Sequence, residues 1–255
     1  MNHTFGSQIR LAPAAALALA LLVFGAPAAE AKVTSSVSGQ LLTVRGGKGD
    51  DRVAVACSSL GQVKVNGKDP RTGAIACASV SEVDAVTGAG NDRVNLVGVG
   101  TATGFGQRDL TGFGTGTGAA AVLGPGNDSY IGGASAFNLV PGGAGSDRLR
   151  GGDLRDDLQG GAENDKINGG GGRDVILGNG GADDLGGGAG DDLVSGNAGD
   201  DLLNGGDGAD LLGGGLGMDT LLGGGGDDKL VGGPQKDRLN GGAGTNELIQ
   251  DSPKK

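Results

Sequence analysis

Between Gly142 and Ile249 the large aliphatic residues fall at one fixed interval. A Leu, Ile or Val stands at every ninth residue, from Leu149 through Ile167 and Val194 to Leu248. The residues on either side are variable, as in Arg148 and Arg150, Asp157 and Gln159, or Lys166 and Asn168. One apolar residue between two variable ones predicts a three-residue strand with its middle side chain turned inward. Before each strand comes a glycine-rich run that ends in aspartate. Such a density of glycine predicts tight turns with φ > 0, which cost other residues energy. The stretch from Gly187 to Gly213 repeats this three times, as GGAGDDLVS, GNAGDDLLN and GGDGADLLG.

Stepping by nine from Gly142 gives twelve units. The first position is always glycine. The sixth is Asp147, Asp156, Asp165, Asp174, Asp183, Asp192, Asp201, Asp210, Asp219, Asp228 and Asp237, and in the last unit Asn246. Leu154, Glu163 and Gln235 replace the usual glycine at the fourth position, and Pro234 stands beside the last of them. These turns are expected to bind weakly or to take a different backbone. Upstream, LGPGNDSYI (123–131) puts Asp128 at position six. GGASAFNLV (132–140) follows it, with Pro141 as one inserted residue before the strict register, so the array is expected to begin at residue 123. GGKGDDRVA (46–54) and TGAGNDRVN (87–95) likewise place Asp51 and Asp92. Those two are 41 residues apart and lack partners at the repeat spacing, so they are read as turns between strands.

The region before the array predicts short β-strands at 41–44, 52–57, 62–65, 74–80 and 93–97, separated by turn signals such as Asn66-Gly67 and Asp69-Pro70. Residues 98–122 are rich in Gly, Thr and Ala, and read either as a linker or as degenerate repeat.

Composition narrows the possibilities. With 59 glycines and 2% aromatics the chain cannot fill one broad core, and it has no Gly-X-Y period. The net charge is −10, and residues 142–249 hold 20 acidic against 8 basic side chains. That acidic, aromatic-poor balance gives no footprint for nucleic acid. Ordering so glycine-rich a chain costs much backbone entropy, and one aliphatic per nine residues offsets too little of it. Stacking the units would also bring the position-six carboxylates together. A hard divalent cation reverses both effects. Calcium takes six to eight oxygen ligands, and glycine turns present carbonyl oxygens beside each carboxylate. Binding energy then becomes folding energy.

GGAGDDLVS (187–195) and GGGGDDKLV (223–231) match Gly-Gly-x-Gly-x-Asp-x-U-x, with U a large aliphatic, at every defining position. The array therefore resembles the RTX, or haemolysin-type calcium-binding, nonapeptide repeat. The resemblance implies an all-β fold, a parallel β-roll (a right-handed β-solenoid) of nonapeptide repeats, here preceded by a small β-rich N-terminal region. Two units would form one coil, so twelve would make a roll about 28 Å long. It also implies several calcium ions, each held by position-six aspartates of units two apart, such as Asp183 with Asp201 or Asp192 with Asp210, and completed by glycine-turn carbonyls. Family members exported by a type I system carry a further secretion segment after the repeats. This chain stops at QDSPKK, which together with its N-terminus points to Sec export.

MNHTFGSQIR carries one Arg and no acid, LAPAAALALALLVFGA is a short apolar run, and Ala29-Glu30-Ala31 offers a small-x-small cleavage site. The run contains Pro13 and is shorter than the ~20 residues of a membrane span. Residues 1–31 are thus expected to be a cleaved signal peptide, and the mature protein is expected outside the cell without a transmembrane segment. In that compartment Cys57 and Cys77 are expected to form a structural disulfide, which would add about 3 kcal/mol by constraining the unfolded chain. The expected layout is a leader (1–31), a β-rich region (32–122), the roll (123–249, strict from 142) and a tail (250–255). The single histidine, His3, lies in the leader, and no nucleophile elbow or phosphate loop occurs, so no enzymatic activity is expected. Three roles follow: a structural surface or matrix component, a calcium-dependent adhesion module whose partner binds residues 33–122, and a haemolysin-like toxin. The last lacks any apolar or amphipathic membrane segment after the leader.

Overall fold

The computed structural model describes residues 17–20, 33–38, 41–57, 63–65, 82–96, 108–109, 115–134 and 136–250. These residues form strands, turns and bends, with no helix among them. From residue 129 onward the strands alternate between two parallel sheets. Ala136–Ala144, Asp157–Ala162, Val175–Gly180, Leu193–Ala198, Leu211–Leu216, Lys229–Val231 and Glu247–Ile249 lie in the larger. Ser129–Ile131, Arg148–Arg150, Lys166–Gly171, Asp184–Ala189, Leu202–Asp207, Thr220–Gly225 and Arg238–Ala243 lie in the smaller. Leu185 pairs with Leu203 and Leu203 with Leu221, while Ile176 pairs with Val194 and Val194 with Leu212. Every step is 18 residues, so two nonapeptides make one coil and the architecture is a parallel β-roll.

The period-2 alternation of a strand explains what lies inside. In Leu202–Asp207 the first residue is exposed, Leu203 is buried, Asn204 is exposed and Gly205 is buried. Eighth-position residues from the two sheets meet between them as Leu149, Ile167, Leu185, Leu203 and Leu221 against Leu158, Ile176, Val194, Leu212 and Leu230. The core is therefore one aliphatic thick, which is as much as this composition can fill. The inward pattern weakens at the last coil. Leu239 is only partly buried and Leu248 is 49% exposed, because no further described coil covers them.

Both sheets also run upstream of residue 123. Leu41–Arg45, Glu82–Val86 and Thr115–Val122 extend the larger sheet in parallel, and Arg52–Cys57 and Arg93–Asn95 extend the smaller. A change of architecture at residue 123 is therefore absent, and coils of the same kind start at Leu41. They differ in the excursions between strands, which span 58–81 and 97–114. Within these, Val63–Val65 pairs antiparallel with Arg52–Cys57, and Arg108–Asp109 with Thr115–Val122. Among the expected strands, 74–80 lies outside the described residues, as does Cys77. So does most of the expected leader, residues 1–31. Its Leu17–Ala20 pairs antiparallel with Thr34–Ser38 at the edge of the larger sheet.

One expected register is corrected. Leu139 pairs with Asp157 and Val140 with Leu158, and Val140 is fully buried while Leu139 is 40% exposed. Pro141 is thus the ninth position of its unit rather than an insertion. The extra residue sits in the turn before Asn138, which takes the sixth position. A turn can absorb one more residue, whereas a slip within the strand would turn every side chain to the wrong face.

The alternation yields a test at two adjacent leucines. Leu203→Ser, which empties a fully buried site and strands a hydroxyl, should cost about 3–5 kcal/mol and abolish calcium-dependent folding. Leu202→Ser, at a side chain 42% exposed, should change stability by less than about 1 kcal/mol. Chemical denaturation of both variants in calcium measures the difference.

Candidate metal-binding turns

The coil repeat places the position-six side chains in two columns, one along each line of turns. The first runs Asp51, Asp92, Asp128, Asp147, Asp165, Asp183, Asp201, Asp219, Asp237. The second runs Asn138, Asp156, Asp174, Asp192, Asp210, Asp228, Asn246. In both, the backbone N–H of each residue donates to the Oδ1 of the next. The distance is 2.8 Å from Asp183 to Asp201 and from Asp192 to Asp210. From Asp51 to Asp228 the aspartates are at most 3% exposed.

The other oxygen has no such partner. Oδ2 of Asp92, Asp128, Asp147, Asp165, Asp174, Asp183, Asp192, Asp201, Asp210, Asp219 and Asp228 is buried without a hydrogen bond, as is Oδ1 of Asp51. Leaving a buried carboxylate oxygen unpaired is costly. The first-position glycine explains how the oxygen fits. A β-carbon on Gly187 would overlap Asp192 Oδ2 and the carbonyl oxygen of Gly205, and the same overlap recurs at Gly142, Gly169, Gly205 and Gly223. At these turns a carboxylate oxygen and a backbone carbonyl from the next coil thus lie side by side against the glycine. These are hard oxygen donors, the set that calcium selects. No point among the described residues gathers three or more His, Cys, Asp or Glu side chains, so a cation here must draw on carbonyls as well.

Burial governs the charge of these groups. Desolvation raises the carboxyl of Asp147 and Asp192 to about 6, of Asp128, Asp165 and Asp201 to about 7, and of Asp174 to about 8. Asp183, Asp210 and Asp219 are raised for the same reason. The hydrogen bond from the preceding backbone N–H opposes the rise, and neighbouring carboxylates add to it, as Asp183 and Asp219 do at Asp201. Protein alone therefore stabilises these carboxylates poorly in their charged form.

Two of the sequence-predicted aspartates are arranged differently. Asp156 Oδ2 accepts from the Gly152 N–H at 2.7 Å, and its Oδ1 accepts from both the backbone and the side-chain nitrogen of Asn138. The buried Tyr130 hydroxyl donates to Asn138 Oδ1 at 2.8 Å, closing the network. Leu154 stands at the fourth position of this turn, where glycines elsewhere have positive φ. Asp237 Oδ1 accepts from the Asp219 N–H and its Oδ2 from Gln250 Nε2. By contrast Glu163 keeps the left-handed backbone with φ 69°, so that substitution leaves its turn intact. Asp51 and Asp92 were expected to lack stacked partners, and this is corrected: they head the first column. Their nonapeptide matches were visible, but the spacing hid that long excursions leave the stack undisturbed.

The turns and sheets together define a parallel β-roll whose turns bring hard oxygen donors together. Comparison with known families agrees. Residues 141–176, 150–185, 177–212, 186–221 and 213–248 match the family model of the RTX calcium-binding nonapeptide repeat in four copies. The strict array is thus a run of RTX repeats. None of the curated proteins compared with the chain matches it.

Two measurements test this geometry. Gly187→Ala should abolish the local site and weaken folding, because the methyl group overlaps the Asp192 carboxylate. Gly213→Ala should be tolerated, since its nearest neighbour is Ser195 Oγ at 3.8 Å. The second test is pH. The folded carboxyls titrate above the ordinary 3.8, so the metal-free roll holds more protons than the unfolded chain. Its stability is greatest below about pH 4 and falls as pH rises through about 6–8. In chelator, β-structure by circular dichroism should therefore increase on acidification from pH 8 to 5, while calcium affinity decreases.

Proposed function

We propose that this is an exported protein whose β-roll folds by binding several calcium ions outside the cytoplasm, in a structural role at the cell surface or in a surrounding matrix. The observation that carries the reading is the set of buried carboxylate oxygens without a partner, repeated coil after coil in both columns. Calcium supplies the positive charge that keeps these carboxylates ionised in a buried setting. The ligands we assign are Asp128, Asp147, Asp165, Asp183, Asp201 and Asp219 in one column, with Asp174, Asp192, Asp210 and Asp228 in the other. Asp51 and Asp92 extend the first. Asp156 and Asp237 are held instead by hydrogen bonds, because protein donors occupy both of their oxygens. The first-position glycines keep each cradle open, and the Asp N–H ladder fixes each carboxylate's orientation.

Export rests on the leader-like residues 1–31, and in the oxidising compartment it implies we propose that Cys57 pairs with Cys77. The division of labour is that residues 32–122 begin the stack and 142–249 supply most of its cation sites. No helix among the described residues is long and apolar enough to cross a membrane.

Isothermal titration tests the assignment. Asp192→Asn combined with Asp210→Asn should lower calcium stoichiometry. Asp191→Asn should leave it unchanged, since Asp191 is exposed and its Oδ1 only accepts from the Ala209 N–H. Equal losses from both changes would overturn the ligand set.

A further inference from the structure

The two outer faces of the roll differ in charge. On the smaller sheet, parallel pairing stacks Arg52 on Arg93, Arg93 on Ser129, Ser129 on Arg148, and Arg148 on Lys166. Arg150 stands beside this row, paired with Ile131. All five cations are exposed, and among the described residues no acidic side chain occupies an outward strand position of this face until Asp184, which pairs with Lys166. Across the same coils the larger sheet turns outward Arg45, Asp84, Val122, Leu139 and Asp157, so Arg45 heads no basic row there. A chain of net charge −10 thus carries one straight line of positive charge, with rungs ~4.8 Å apart.

We infer that this row is a docking surface for a linear acidic polysaccharide. Charge complementarity is the first argument. Shape is the second: the row is one to two residues wide, and the turns beside it balance Lys48 with Asp50 on one side and Arg155 with Asp153 on the other, so the excess of positive charge is confined to the strip. A single extended chain fits between these edges, with about one sugar per coil. A membrane or a nucleic-acid duplex presents its phosphates over a broad face and would meet this strip along one line only. Single-stranded nucleic acid would need aromatic platforms, and the one aromatic in these strands, Tyr130, is buried. The surface is separate from the calcium cradles, so it is independent of their assignment beyond needing the folded roll.

The test is binding of the full chain to dextran sulfate, with uncharged dextran as control, in calcium at low and at high salt. Binding to dextran sulfate alone, weakening as salt rises, is expected. Arg93→Ser with Arg148→Ser and Arg150→Ser should weaken it about tenfold or more, while calcium-induced circular dichroism stays as in the parent. Arg238→Ser, on the same face but beyond Thr220, should bind as the parent does. Equal binding by the triple variant and the parent would overturn the proposal, since calcium bridging or another surface would then hold the polyanion. Absence of binding by the parent at low salt would overturn it too. Tighter binding to single-stranded DNA than to dextran sulfate would assign the row to nucleic acid instead.

Discussion

Everything in this fold is arranged around a carboxylate that is buried and only half satisfied. Each turn donates one backbone N–H to the aspartate of the turn stacked on it, at 2.8 Å between Asp183 and Asp201. That bond aligns successive coils and fixes one oxygen, while the other faces a cradle without a donor. Filled with protons, the columns are tolerable, as the raised titration of Asp174 and Asp201 indicates. Filled with calcium they would become cross-links. Left ionised and empty, they oppose the stack they belong to. A core only one aliphatic thick, in a chain so rich in glycine, has little in reserve against that opposition.

The arrangement also explains why glycine is used where it is. First-position glycines such as Gly187 make room for the carboxylate itself. Second- and fourth-position glycines do something else. At Gly190, φ is 122°, and a β-carbon would overlap the carbonyl oxygen of Gly172 in the coil before. Asn179, Asn197 and Glu163 show that the left-handed conformation can be met by other residues at a cost. At first positions the requirement is spatial rather than conformational, and in the strict array it is never relaxed.

Much of this was legible in the sequence, because the nonapeptide states both periods at once. The aliphatic at position eight dictates which residue faces inward, and the aspartate two residues earlier dictates where the columns run. Leu203 and Asp192 could be placed from the pattern alone. What the pattern hid was tertiary. Asp51 and Asp92 join the first column across 41- and 36-residue coils, a stacking that no fixed spacing reveals. The slip at Pro141 depended on which of Leu139 and Val140 is buried, and both are plausible core residues. Asp156 has the motif yet spends both oxygens on Asn138 and Gly152, a network assembled by a tyrosine and an asparagine from neighbouring coils. The row of arginines on the smaller sheet emerges only once residues 18 to 41 positions apart are stacked.

If calcium is what makes the stack favourable, the protein should be open where calcium is scarce and closed where it is plentiful. Extracellular calcium modules typically bind at ~10⁻⁴–10⁻³ M, and coils that share ligands should close together. Magnesium, which demands tight octahedral geometry and keeps its water, should not replace it. Far-UV circular dichroism of the purified chain at pH 8 in EGTA, in magnesium and across a calcium titration measures this directly. The account predicts little β-structure in EGTA or magnesium, and a steep gain of it over a narrow calcium range. A spectrum already rich in β-structure in EGTA and unmoved by calcium would contradict it.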